Sequence, residues 1–229
     1  MLQSILHGLG YGLCHQLPER SFFGGGTQVP VCARDTGIYL GFVVSLALIS
    51  LLHRPDRPKQ FPGVAGFVAI LLMITAMGID GVSSYAGFRT TTNDLRLITG
   101  ILAGFAMAAI VVPMLNDELW VRATNERVLS PLWRLLAWLA GVPVVFAAVR
   151  WFAPVLGVLY PALVAVAILV TLTTVNLVIV GLFPLFERRA ERLSDAWPAI
   201  LIALTLSGIE IAASGLFRVG VESVVGKVG

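Results

Sequence analysis

The residues with the most chemistry in this chain sit near its amino terminus, where Cys14 is followed by His15 and Cys32 by Asp35 three positions on. Zinc takes thiolate, imidazole and carboxylate ligands in a tetrahedral shell, and these four side chains offer two sulfurs, one nitrogen and one oxygen. The Cys32–Asp35 spacing lets two ligands converge from a single turn. Cys14 and His15 are adjacent, and neighbouring side chains seldom face one ion. A Cys14–Cys32 disulfide is the alternative in an oxidising compartment; closing that loop would contribute roughly 3 kcal/mol on the chain-entropy model. Free thiols are the third state. Asp35 has a plainer use as well, capping the free N–H groups of the apolar segment that it precedes.

Three further ionisable residues stand at or inside apolar segments. Asp80 closes the second segment, where the helix dipole disfavours an anion, and the Gly81 that follows reads as a left-handed terminator. Such a carboxylate needs a partner, Arg96 or Arg34, unless it is a functional acid. Glu210 lies within the last segment, with Ser207 and Ser214 on its face; an acid inside a span is costly and marks a functional position by default. Its structural alternative is a salt bridge to Arg96 or Arg150. Arg96 is expected to point into the bundle and to be neutralised by Asp80, Glu210 or both. Asp80, Glu210 and Arg96 are therefore the candidate catalytic residues. Asn176 with Thr173 reads as interhelical hydrogen bonding, and His7 and His53 as interfacial residues. The glycine-rich phosphate loop, the glycine-flanked serine nucleophile and the HExxH pair are absent from the sequence.

The elements that must position these residues are membrane helices. Hydrophobic residues make up 57% of the 229 positions and charged residues 13%, about half the usual charged fraction of a soluble domain; mean hydropathy is +0.88. Positions 60–79 and 97–116 carry no Asp, Glu, Lys or Arg, and 151–186 no ionisable group but Tyr160. A bilayer core needs about 20 apolar helical residues to cross it. The fold class is thus all-α, a polytopic bundle with spans near 36–52, 62–79, 95–115, 132–152, 157–183 and 197–217. Residues 1–35 form a cap ahead of the transmembrane domain, 36–229, and Leu2, Ile5, Leu6, Leu9 and Leu13 give the cap a short interfacial or re-entrant helix. No cleavable signal peptide is visible in the first 13 residues. Small residues step by four at Gly37, Gly41 and Ser45, at Gly100, Gly104 and Ala108, and at Gly208 and Ala212, spacing that lets helices pack closely.

Charge sets the orientation. Arg54, Arg57 and Lys59, then Arg122, Arg127 and Arg134, then Arg188, Arg189 and Arg192 occupy alternate loops, nine of the 16 basic residues. The positive-inside tendency puts these loops in the cytoplasm and both termini outside, in a plasma or inner membrane. Cys14, His15, Cys32, Asp35, Asp80 and Arg96 then share the external side. The net charge of +3 comes with no basic stripe, which excludes nucleic acid as a partner.

Cys14-His15-Gln16, Arg20-Ser21-Phe22, Gln28, Pro30 and the run Cys32 to Tyr39, continued by Asp80-Gly81, Asn93, Arg96 and Thr99-Gly100, resemble the signature of a prokaryotic membrane family, domain of unknown function 2085. The resemblance covers roughly residues 10–110. It implies a polytopic fold and shared polar positions and supplies no activity. It also implies a Cys-His, spacer, Cys-x-x-Cys pattern in which this chain has Asp35 at the last cysteine, a departure that weakens a thiolate-rich site and leaves zinc open. Three functions fit: an outward-facing site, metal-dependent or not, for a lipid headgroup or small molecule at the outer leaflet; a non-catalytic scaffold or complex subunit with a disulfide-tied cap; and a transporter or channel component lined by Glu210 and Asn176. The inverted repeat of many secondary transporters is not evident. Zinc is the only cofactor suggested, the bilayer the certain partner, and oligomeric state is undefined.

Overall fold

The computed structural model describes residues 2–225. It contains seven helices: α1 (Leu2–Tyr11), α2 (Ala33–Leu52), α3 (Val64–Tyr85), α4 (Asn93–Leu119), α5 (Leu132–Ala147), α6 (Leu159–Gly181) and α7 (Trp197–Val225). Six of them, α2 to α7, are long and apolar enough to cross a membrane, α5 together with its continuation to Leu156. The expected spans are all present, and several run past their expected ends. α3 continues to Tyr85, so Gly81 is a helical residue and not a terminator; the left-handed glycine is Gly87, φ 74°, just beyond the helix. α5 is extended by a wide turn over Ala148–Phe152 and a tight one over Ala153–Leu156. The long uncharged stretch after Trp151 therefore divides into the end of one span and the whole of the next. The carboxy-terminal residues 226–229, expected outside the cell, lie beyond the described residues.

α4 is the centre of the bundle: 67% of its apolar window is buried, against 11% for α7. α2 lies against α4 along a seam of small residues. A Cβ on Gly37 would collide with the Leu97 carbonyl, and one on Gly100 with the Arg34 carbonyl. Backbone cannot yield as a side chain tip does, so only glycine permits this approach. Ser45 continues the seam, its hydroxyl donating to the Phe105 carbonyl (3.3 Å) while accepting from Trp138 Nε1 (2.8 Å). In the last span the same spacing has no such use, because nothing lies within 4 Å of a Cβ built on Gly208.

The two ends of the bundle differ. The three basic loops meet at one end, as alternate loops of a six-span chain must. Strand β3 (Pro58–Gln60) pairs in parallel with β4 (Thr124–Arg127), and Asp117 receives both Lys59 (3.3 Å) and Arg188 (2.9 Å). His53 belongs to this end, at the close of α2, and is buried there. It is 1% exposed, its Nε2 accepts the Leu129 amide (3.0 Å), and the Arg134 guanidinium lies 3.0 Å from Nδ1.

The other end carries the amino-terminal cap, in which β1 (Phe23–Gly24) and β2 (Thr27–Gln28) form a hairpin. The polar residues around Cys14 build this cap. Gln16 Nε2 donates to the carbonyls of His7 (2.9 Å) and Pro30 (2.7 Å), and Gln28 Nε2 to the Gln16 carbonyl (2.9 Å) and the Ser21 hydroxyl (3.0 Å). Backbone groups that a compact loop would strand are satisfied in this way.

Candidate functional site

Cys14 and Cys32 come together through the cap. The Cys32 amide donates to Cys14 Sγ at 3.3 Å, and the Cys32 thiol donates to Asp35 Oδ2 at 3.2 Å. Ligand atoms of Cys14, Cys32 and Asp35 all lie within 4.8 Å of one another. Both cysteines are free thiols, so the alternative of a disulfide is not formed here. Cys32 is the residue at which α2 begins, and Asp35 lies in the first turn. A carboxylate there is favoured by the positive helix end. Its side chain accepts from the Cys32 thiol and, among the described residues, caps no backbone N–H.

The two thiols are electrostatically unequal. The hydrogen bond from Cys32 favours the Cys14 thiolate and lowers its pKa, against desolvation and the nearby Asp35 charge. Holding the proton shared between the two sulfurs, burial and the Asp35 charge push the Cys32 thiol up. Cys14 is thus the thiol that ionises first. His15 does not join them. It is exposed and lies outside the cluster, near Glu222 on α7.

Asp80 is 1% exposed and fully engaged. Arg34 pairs with its Oδ2, Arg89 with its Oδ1 (2.7 Å), and the hydroxyls of Thr91 and Thr99 donate at 3.2 Å each. Of the two partners expected from the sequence, Arg34 is the one found. The contributions of Arg89 and Thr91 were not anticipated, since nothing periodic marks residues in the 86–92 linker. The carboxylate ties α2, α3, α4 and that linker into one unit.

Arg96 does point into the bundle, 8% exposed, but the expected pocket with Asp80 and Glu210 does not form. Its only side-chain hydrogen bond among the described residues is a long one to Asn93 Oδ1, 3.4 Å. Its electrostatic neighbours are Arg20 and Arg34 first, then Cys32 and Asp80. Asp80 is already saturated by other donors, and Glu210 is carried by a different helix pair. Asn176 Nδ2 on α6 donates to Glu210 Oε2 (2.9 Å) and to the Ser207 hydroxyl (3.1 Å), and Thr173 approaches Ser207 at 3.4 Å. The interhelical role expected of Asn176 and Thr173 is therefore realised. Among the described residues Glu210 makes no ion pair; it is exposed on α7, and Arg150 pairs with Asp94 instead (2.6 Å).

Two residues that hold the cysteine loop in place escaped the sequence reading. Arg218 on α7 donates to the carbonyls of Tyr11 (2.6 Å) and Cys14 (2.8 Å), stacks 4.3 Å from the Tyr11 ring centroid, and pairs with Glu222 (2.8 Å). Glu222 in turn accepts from the Tyr11 hydroxyl at 2.6 Å. The i, i+4 spacing of Arg218 and Glu222 was the available signal.

The family model described as a predicted membrane protein, domain of unknown function 2085, matches residues 14–110. An uncharacterized protein of Methanocaldococcus jannaschii is 32% identical over 108 residues, 47% of this chain and 67% of its own. The chain belongs to this family. A second uncharacterized relative, from Methanothermobacter thermautotrophicus, is 38% identical over 98 residues, covering 43% of this chain and 83% of its own. No solved structure matches. The matched segment begins at Cys14 and ends in α4, so it contains the thiol–carboxylate cluster and the whole Asp80 hub. Glu210, Asn176 and the Arg218 clamp lie outside it.

Proposed function

We propose that this membrane protein carries, at its external end, a binding site for a thiophilic divalent cation, zinc first among them, with Cys14, Cys32 and Asp35 as ligands. The observation that carries the proposal is the convergence of two sulfurs and a carboxylate within 4.8 Å from separate parts of the chain. Three protein ligands leave a fourth tetrahedral position for water or a ligand, the pattern of open zinc sites. Arg96, which feels the Cys32 thiol and has Arg20 and Arg34 as its cationic neighbours, supplies positive charge for an anionic group, a lipid headgroup or small molecule at the outer leaflet. Asp80 holds the frame, and Glu210 belongs to the packing of α6 on α7.

The same closeness of the thiols favours a second reading, a scaffold whose cap is tied by a Cys14–Cys32 disulfide. Metal analysis of the purified chain beside a thiol count separates the two. The proposal expects about one zinc per chain, lost in Cys14→Ser and Cys32→Ser but retained in His15→Ala. A chain that takes up no zinc after reduction and reconstitution overturns it, and two masked thiols without metal establish the disulfide.

A further inference from the structure

At the end of the bundle that carries the basic loops, two cavities run into one another. The first, about 520 Å³, is an apolar cleft between α7 and the α2, α4 and α6 side, lined by Leu46, Leu115, Val170, Leu177, Ile200 and Leu204 among others. The second, about 530 Å³, lies beneath the first basic loop and is lined by His53, Arg54, Asp56, Arg57 and Pro58. Ser50, Val112, Asn116, Trp120 and Leu193 line both, so the two form one channel from hydrocarbon depth to the charged loops. The cleft exists because α7 packs along α6 and leaves its inner face unfilled.

The charge at the mouth is specific. Lys59, Arg122, Arg134 and Arg188 in the same loops pair with carboxylates. Among the described residues Arg54, Arg57, Arg127, Arg189 and Arg192 form no ion pair within 4 Å, and of these five only Arg54 and Arg57 line the second cavity. Asp56 is the only carboxylate lining the mouth, and burial together with Arg134 keeps His53 neutral, so the lining carries one net positive charge. The Arg57 guanidinium lies 3.4 Å from the centroid of the Trp120 ring, at the boundary between the two cavities. An apolar slot that opens under an uncompensated cation has the polarity of an acidic phospholipid: acyl chain below, phosphodiester above. A zwitterionic lipid brings the same phosphodiester but adds an ammonium group, which the net positive mouth repels.

We propose that this channel binds one anionic glycerophospholipid of the adjacent leaflet, with an acyl chain between α7 and α2, α4 and α6 and the phosphate at Arg54 and Arg57. The full-length chain, delipidated in detergent, is titrated with dioleoyl phosphatidylglycerol and, separately, dioleoyl phosphatidylcholine, and the bound lipid is counted by native mass spectrometry. The expected result is one phosphatidylglycerol bound at least about tenfold more tightly than phosphatidylcholine. In the Arg54→Gln/Arg57→Gln double variant this preference should vanish, with phosphatidylcholine binding unchanged. Leu204→Phe, at a 43% exposed lining position where bulk does not threaten the core, should reduce occupancy by both lipids. Equal binding of the two lipids by the parent chain, or an unchanged preference in the double variant, overturns the headgroup assignment. Full occupancy in Leu204→Phe overturns the acyl seat.

Discussion

Arg34 and Asp80 join the first turn of α2 to the last turns of α3, and the side chain of Asp80 is 1% exposed where they meet. The pair stands two residues from Cys32. The helix that presents the thiol cluster is therefore held by the same carboxylate that organises the rest of that end. Removing one partner of a buried ion pair leaves the other charge uncompensated, at a cost of about 3–5 kcal/mol. Asp80→Asn is expected to cost about that much, measured as lost resistance to denaturant in detergent. Arg89→Gln should cost far less, since its side chain is 40% exposed. Equal losses in the two variants would contradict the hub.

The glycine seam makes a contrast within one residue type. Gly100→Ala places a methyl group on the Arg34 carbonyl. Overpacking that neither backbone can relieve should cost about 3 kcal/mol, the upper end for such changes. Gly208→Ala meets open space and should stay within about 0.5 kcal/mol of the parent. Thermal unfolding of the two variants side by side is the measurement, and a destabilised Gly208→Ala would show α7 packed otherwise than described.

How much of this was legible in the sequence depended on whether a residue's neighbour lies on its own helix. Spans were legible because hydrocarbon demands an uninterrupted apolar stretch, and Gly37, Gly41, Gly100 and Gly104 because close packing demands a repeat. Asp80 was legible as a carboxylate in need of a cation, yet two of its four donors come from an irregular linker. Arg96 and Glu210 looked like partners because both are ionisable near one membrane boundary. Depth does not decide which helices touch: α7 lies on α6, where Asn176 supplies what Glu210 needs. The Cys14–Cys32–Asp35 grouping was foreseen, and His15 dropped out because the direction of a loop side chain has no period to read.

Arg218 should matter to the cap although it lies more than 200 positions away from it in sequence. Hydrogen bonds from a charged donor contribute about 1.5–3 kcal/mol each, and Arg218 makes two of them to the Tyr11 and Cys14 carbonyls. Arg218→Ala is expected to expose the 12–31 segment to limited proteolysis while leaving the helical content of the bundle unchanged. Protection equal to that of the parent chain would show that the cap is held by its own glutamine network alone.

Orientation is testable at the ends defined by the loops. Reporter fusions after Pro58 and after Ser194 should behave as cytoplasmic, and a fusion near Arg20 as external, given that nine of 16 basic residues sit in the three alternate loops. An external reporter at position 58 would invert the assignment and move the thiol cluster to the cytoplasm.

His53 gives the basic end a pH dependence with a definite sign. Burial and the Arg134 guanidinium lower its pKa from the ordinary 6.5, outweighing the attraction of Glu126 and Asp56. The folded chain thus binds the proton less readily than the unfolded chain does. Stability rises with pH wherever the unfolded state holds more protons. The contribution of His53 is therefore complete above pH 6.5 and is lost progressively as the pH falls from there towards the lowered folded value. Protonation would also deprive the Leu129 amide of its acceptor on Nε2. Thermal unfolding between pH 8 and pH 5 should show the parent losing stability below about 6.5. His53→Gln, which keeps an acceptor and cannot titrate, should flatten that limb. An unchanged slope in the variant would assign the pH dependence to other groups.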